Sequence, residues 1–426
     1  VQEPTSPLQI ADFRYYWLSR VVATLATIGM VVIIGYQLYD VARGQYGYSI
    51  SQAAFLLGLL GLAQFVPVAI FTPIAGLVAD RFDRRTVAAL AMAIDLTIAL
   101  VLAFVTQAGH TSLPLLFTLA AMHGTARVFI GPALSAVTPN IVPAPLIPRA
   151  MAISSMAWQI GAIGGPALAG ILYSMGHALP YWTSSGLLVV GMLALLSIRR
   201  LPPPEENRGE PPLRQIVEGF RFVWNERFLL GCVTLDLFAV LLGGATALLP
   251  VFARDVLHVG AEGLGIMRAA PAVGAVAVSL YLSARPIAHN VGTKMLWGVA
   301  AFGAATILFG LSRNFALSLG LLALLGAADM VSVFIRSTLV QLNTPDAVRG
   351  RVSAISGLAI SASNELGEMQ SGLAAGLLGA TGAVVFGGAG AIMVVVIWAV
   401  LFPELRNART FAPQYRQSHR QKEPAP

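Results

Sequence analysis

Eight ionisable side chains stand inside long apolar stretches of this chain: Asp95, Arg127, Asp236, Arg268, Asp329, Arg336, Glu365 and Glu368. At about 2.5–3.5 kcal/mol each on an insertion scale, exposing all of them to lipid costs roughly 20–28 kcal/mol, so they must face protein or water. Charges kept at that cost point to proton or solute handling. Ser361, Glu365, Glu368 and Gly372 fall at i, i+4, i+7 and i+11 and form one polar stripe on a helix. Carboxylates one turn apart repel when both are charged, so Glu365 and Glu368 are candidate proton carriers that titrate as a pair. Alternatively, one of them neutralises a nearby arginine. Asp236 is the next acid candidate, whereas Asp95 reads as an acid with a structural partner. His123 lies one turn before Arg127 on the same face. Tyr36, Gln37 and Trp158 are candidates for lining a pathway or for packing.

The elements that must position these groups are membrane helices. The chain is 56% hydrophobic and 11% charged, with mean hydropathy +0.74; about 25% charged is usual for a soluble domain. Crossing a hydrocarbon core takes about 20 apolar residues. Twelve stretches meet that length, at 17–40, 52–79, 87–107, 112–137, 150–174, 179–198, 229–252, 260–283, 293–312, 314–338, 352–378 and 381–402. They are continuously apolar and too long for the alternating, roughly ten-residue strands of an outer-membrane barrel. The first follows a basic, aromatic segment (Phe13, Arg14, Tyr15, Tyr16, Trp17, Arg20), the pattern of an interfacial anchor and a retained first helix.

The net charge of +7 is topological rather than a nucleic-acid signal. With both termini cytoplasmic, only Arg43, Arg254 and Arg313 fall outside, and Arg127, Arg268 and Arg336 fall deep within spans; every other Lys and Arg is in a cytoplasmic segment or at the cytoplasmic end of a span. That bias orients the chain in a bacterial inner membrane. The single Cys232 has no disulfide or metal-thiolate partner and reads as packing. There is no P-loop and no histidine cluster at metal spacing, so neither an enzyme, a cofactor nor a metal site is expected.

The polar interruption from Arg199 to Arg227 separates two sets of six spans. Its first part is linker-like; after Pro212, Leu213, Ile216, Val217, Phe220, Val223 and Trp224 recur at helical spacing and predict an amphipathic helix on the inner membrane surface. The expected organisation is a bundle over 1–198, a linker over 199–228, a second bundle over 229–402 and a disordered tail over 403–426. An internal repeat supports it. Pro143, Arg149, Ala152, Ile153 and Ser154 match Pro345, Arg351, Ala354, Ile355 and Ser356 at an offset of 202, and Gly124 and Ala126 match Gly326 and Ala328. Parallel six-helix repeats of this kind place a substrate site between the halves near the bilayer midplane.

After the second span comes Gly76-Leu-Val-Ala-Asp80-Arg81-Phe-Asp83-Arg84-Arg85. It resembles the Gly-x-x-x-Asp-Arg-x-Gly-Arg-Arg loop of the major facilitator superfamily, with Asp83 in place of the usual glycine. The stretches 59–67, 218–224 and 249–255 point to its drug and siderophore efflux branch, that of enterobactin and macrolide exporters. The resemblance covers essentially the whole chain. It implies an all-α membrane fold of twelve helices in two pseudo-symmetric bundles, with spans one, four, seven and ten lining a central cavity. It also implies a gating latch of Gly76, Asp80, Arg81, Arg84 and Arg85. Gly161, Gly165, Pro166 and Gly170 resemble the Gly-Pro motif of the superfamily's antiporters, which reads as a hinge or as plain helix packing. At the repeat offset Arg127 corresponds to Asp329, a structural pair between halves or groups that handle substrate or protons; Arg336 lies two turns beyond Asp329. The expected function is proton-coupled efflux of an amphipathic small molecule by a monomer working through alternating access. An importer or lysolipid flippase on the same fold, and a non-transporting receptor or scaffold, are the alternatives.

Overall fold

A computed structural model describes residues 5–199, 212–285, 287–345 and 348–411 of the chain. Among the described residues every regular element is helical. The main helices are α1 (Ala11–Gly44), α2 (Ile50–Arg81), α3 (Arg84–Gln107), α4 (Leu113–Ile141), α5 (Ile147–Met175), α6 (Leu179–Leu196), α7 (Pro212–Asn225), α8 (Arg227–Leu242), α9 (Gly260–Ala284), α10 (Val291–Leu311), α11 (Phe315–Leu342) and α12 (Arg349–Leu401). Short helical turns at Ala245–Leu248, Leu249–Val251 and Phe252–Val256 continue α8 toward α9.

Among the described residues eleven helices are long and apolar enough to cross a bilayer, counting Arg227–Val256 as one. The last, α12, has 53 residues. At 1.5 Å per residue that is about 80 Å, against a hydrocarbon core of about 30 Å. It is broken at Gly379, whose φ of 72° lies in the left-handed region that glycine enters without steric cost. The break falls in the gap expected between spans eleven and twelve, so α12 is long enough for two crossings, which makes twelve among the described residues.

Local chemistry sets the helix ends. Ser49 accepts from the Gln52 backbone and the Gln52 side chain answers to the Ser49 N–H, a reciprocal cap on α2. Asp83, which stands where the loop pattern it resembles has glycine, caps α3: its carboxylate accepts from the Arg85 N–H at 3.2 Å and the Thr86 hydroxyl at 2.9 Å. Asp83→Ala is therefore expected to cost about 1 kcal/mol of stability and Asp83→Gly only a few tenths, measured by chemical denaturation. The aromatic lead-in is absorbed into α1. Phe13 and Tyr16 are fully buried, and Trp17 donates to the Ile153 carbonyl at 3.1 Å, so the segment packs on α5 as well as facing outward.

The chain forms two compact units, Val1–Gly209 with Leu249–Ala269, and Glu210–Leu248 with Ala270–Pro426. In the first, glycines let helices cross closely. A Cβ on Gly161 would collide with Thr24, one on Gly165 would lie 2.8 Å from the Leu25 carbonyl, and one on Gly124 2.8 Å from the Gln64 carbonyl. In the second, Leu229, Cys232, Leu235, Met295, Leu339 and Val352 are core residues. Helix α7 docks there through Val223 and an ion pair from Glu218 to Arg351 at 2.5 Å, while Val217, Phe220 and Trp224 stay exposed.

The repeat has a structural counterpart. Gly124 admits α2 against α4, and its match Gly326 admits Pro271 of α9 against α11; Arg149 and Arg351 both sit in the first turn of the following helix. The tail begins with order where disorder was expected. Pro403–Arg406 is a helical turn with Leu405 buried, and Gly292 donates its N–H to the Ala408 carbonyl at 2.9 Å.

Candidate functional site

Asp236 projects from α8 and Arg336 from α11, and the two form an ion pair with about 8% side-chain exposure each. Asp329 stands two turns before Arg336 on α11, half-buried, within electrostatic reach of both. The second unit thus gathers two carboxylates around one guanidinium. Counted as charges, the cluster carries a surplus negative charge unless a proton is bound. Cys232 is buried on the same helix as Asp236, the packing position expected of it. Glu365 and Glu368 lie half-buried on adjacent turns of α12.

In the first unit Arg127 is exposed on α4. One turn before it, His123 Nδ1 meets Asp95 Oδ1 at 2.9 Å, with both side chains fully buried. This is the structural partner expected for Asp95. The pair joins α3 to α4, and Asp95 Oδ2 and His123 Nε2 have no other hydrogen-bond partner among the described residues. Deleting the imidazole with His123→Ala leaves the buried carboxylate without its contact, which is expected to cost about 1–3 kcal/mol in a denaturation measurement.

The remaining pathway candidates are held in place by neighbours. Gln37 accepts from the Tyr181 hydroxyl at 2.6 Å and donates to Thr106 at 2.9 Å, tying α1 to α6 and α3. Tyr36 stacks edge-on against Tyr173 at 5.5 Å between centroids. Trp158 is half exposed on α5.

Of the loop motif, Gly76, Asp80 and Arg81 fall on the last turns of α2, and their side chains lie outside the described residues. Arg84 opens α3. Arg85 donates to the Ile198 carbonyl at 2.5 Å and the Leu196 carbonyl at 3.2 Å, covering the unpaired carbonyls at the end of α6, where positive charge is favoured. The Gly-Pro motif splits its contacts. Gly161 and Gly165 face α1, whereas Pro166 and Gly170 face Ala261 and Gly265 of α9.

A further cluster escaped the sequence reading. At the end of α1 away from the N-terminus, Tyr39 donates to Asp255 Oδ2 at 2.5 Å, and Arg43 pairs with Asp255 Oδ1 at 3.1 Å. Asp40 pairs with Arg254 at 2.6 Å. Asp40 alone reads as an acid near water; the signal was the adjacent Arg254-Asp255 in a stretch of family resemblance.

Comparison with known proteins places this geometry in context. A family model described as "Transmembrane secretion effector" matches residues 2–423. The enterobactin exporter EntS of Escherichia coli O1:K1 / APEC is 28% identical over 418 residues, covering 95% of each chain. That of Citrobacter koseri is 28% identical over 413 residues, covering 94% of each. Among solved structures, a bacterial homologue of the human lysosomal transporter Spinster, inward-facing and unoccupied, aligns with TM-score 0.70 at 16% identity, covering 93% of this chain and 96% of that one. A D-xylose–proton symporter aligns with TM-score 0.68 at 14% identity, covering 91% and 96%. At these identities the two structures bear on the fold alone.

Proposed function

Because the chain belongs to the transmembrane secretion effector family of the major facilitator superfamily, a multi-pass transporter fold, we propose that it exports an amphipathic small molecule in exchange for protons. The coupling site in this reading is Asp236, Arg336 and Asp329. One guanidinium balances one carboxylate, so the second carboxylate is comfortable in a dry site only with a proton and in a wet site without one. A site of that charge count favours different proton occupancy in its two access states, and proton entry on one side with release on the other then drives the cycle. This charge count is the observation that carries the proposal.

Arg127 and Arg268 in the first unit, and Glu365 and Glu368 in the second, place charge within apolar spans, a combination that suits handling of an amphiphile better than of a small sugar. The EntS relatives make a siderophore such as enterobactin the first candidate cargo. The proposed setting is a bacterial inner membrane with both termini cytoplasmic, the protein acting as a monomer and without a cofactor. The latch role of Asp80, Arg84 and Arg85 and the hinge role of Gly161, Gly165, Pro166 and Gly170 belong to the same proposal.

Reconstitution into oriented liposomes tests it. Enterobactin, macrolides, cationic dyes and lysolipids are offered with and without a pH gradient. At least one is expected to accumulate uphill in the export direction only while the gradient stands; accumulation indifferent to its collapse removes proton coupling.

A further inference from the structure

We propose that residues 402–411 are a strap that positions the Asp236–Arg336 pair, seating α8 against α11 and so setting how many protons accompany each solute. The consequence for transport rests on the coupling reading, whereas the strap rests on the packing of the second unit, to which every residue involved belongs.

The strap is anchored on three helices besides the one it follows. On α8, a Cβ on Gly231 would come within 2.9 Å of the Phe402 ring. Arg227, at the start of α8, donates to the Leu401 carbonyl at 2.8 Å, meets Glu404 at 3.5 Å and lies 6.0 Å from the centre of the Phe402 ring. It thereby covers a carbonyl that the end of α12 leaves unpaired, where a cation is favoured. On α10, the Gly292 N–H donates to the Ala408 carbonyl at 2.9 Å and the Thr293 hydroxyl to the Arg406 carbonyl at 3.3 Å. The first of these satisfies a donor that a helix start leaves without an internal partner. The approach is so close that a Cβ on Gly292 would strike the Leu405 carbonyl oxygen. On α11, Phe411 meets Phe334 edge-on with 6.3 Å between ring centroids.

Burial makes the strap part of the core around the pair. Leu405 and Ala408 belong to one contiguous cluster with Cys232 and Leu235 of α8 and Ile335 and Leu339 of α11. Leu235 and Ile335 are the immediate chain neighbours of Asp236 and Arg336. Just before the strap, Trp398 donates to the Thr234 hydroxyl at 3.2 Å, which holds α8 one turn closer to the pair than Gly231 does. A buried ion pair offsets its desolvation only at close, well-aligned contact, so even a small shift of α8 against α11 loosens it. The segment that fixes the ends of these helices therefore also fixes the pair.

Two readings on the full chain in liposomes test it. Native Cys232, fully buried one turn before Asp236, reports the seating of α8, and Ala305→Cys, at a buried position in a separate core cluster of the same unit, reports unfolding. Both are exposed to N-ethylmaleimide, which crosses the bilayer, and their labelling is separated by mass spectrometry. Gly292→Ala displaces the Leu405 carbonyl without altering the strap's own sequence. It is expected to speed labelling of Cys232 about tenfold and to leave the Ala305→Cys reporter unchanged. The second reading is the number of protons moved per solute, followed with a pH-sensitive dye. That number is expected to fall in Gly292→Ala, whereas a mere loss of folded protein lowers the rate and not the ratio. Phe411→Leu, which keeps an apolar contact on Phe334, is expected to match the parent in both. Unchanged labelling of Cys232 overturns the strap, and so does faster labelling with an unchanged proton ratio. Should both cysteines react faster, the milder Phe411→Ala decides: a selective rise at Cys232 with a lower ratio supports the strap, and anything else overturns it. Should the parent itself move no protons, the coupling reading falls and selective labelling of Cys232 alone decides the strap.

Discussion

Arg336→Leu is expected to lower the stability of the protein by about 3–5 kcal/mol and to abolish transport. Among the described residues the guanidinium is the basic partner of Asp236, and both side chains are almost wholly buried. Removing it leaves two carboxylates, Asp236 and Asp329, within electrostatic reach of each other and without the cation that acts on both. The cost is that of an uncompensated buried charge, not the net worth of the pair. Consequently the double variant Asp236→Leu with Arg336→Leu is expected to recover most of the lost stability, since apolar residues of similar volume replace buried ion pairs at little cost. It should not recover uphill transport. Denaturant unfolding in detergent separates the two effects, and a double variant as unstable as Arg336→Leu would show that the pair is not isolated in the way described.

Asp329→Asn is expected to do the reverse, sparing the fold and cutting the coupling. The amide keeps the shape of the acid and fixes the neutral form permanently, so the site no longer exchanges a proton between access states. With one proton exchanged per solute, a gradient of one pH unit supports about tenfold accumulation. The variant should accumulate nothing above the equilibrium level while still exchanging solute downhill. Uphill accumulation equal to the parent's would remove Asp329 from the mechanism and move attention to Glu365 and Glu368.

Much of the architecture was legible in the sequence because hydropathy is a direct readout of the solvent each segment meets. Twelve crossings among the described residues and the turn at Gly379 follow from where apolar runs stop. The break after α8 was not legible. Leu241, Leu242, Gly243, Gly244 and Ala245 continue an apolar run, and hydropathy is blind to the path of a backbone that stays in lipid or protein. The site was half legible. The cost of burying charge picked out Asp236, Asp329 and Arg336, but the repeat relates Arg127 to Asp329 as equivalent positions, and equivalence is not contact. The ion pair of Asp236 with Arg336 joins residues far apart in sequence, which no local pattern reports. The cluster at the end of α1 was hidden for a related reason: Asp40, Arg43 and Arg254 stand at span ends, where charge is ordinary, and only the fold brings Asp255 to Tyr39.

Asp83 makes the same point in miniature. In the sequence it is a departure from the loop pattern; in the structure it caps α3 and steadies Arg85, which in turn covers the end of α6. The aspartate supplies α3 with a side-chain cap that a glycine at this position lacks.

The central claim is exchange of protons for solute at the cluster in the second unit, and proton movement itself tests it most directly. Liposomes loaded with the transported solute and a pH-sensitive dye, with no imposed pH gradient, are diluted into solute-free buffer. Solute leaving through the wild-type protein is expected to draw protons in the opposite direction, and the dye response should vanish in Asp329→Asn. Solute efflux at the normal rate with no proton flux in the wild-type protein would contradict the account.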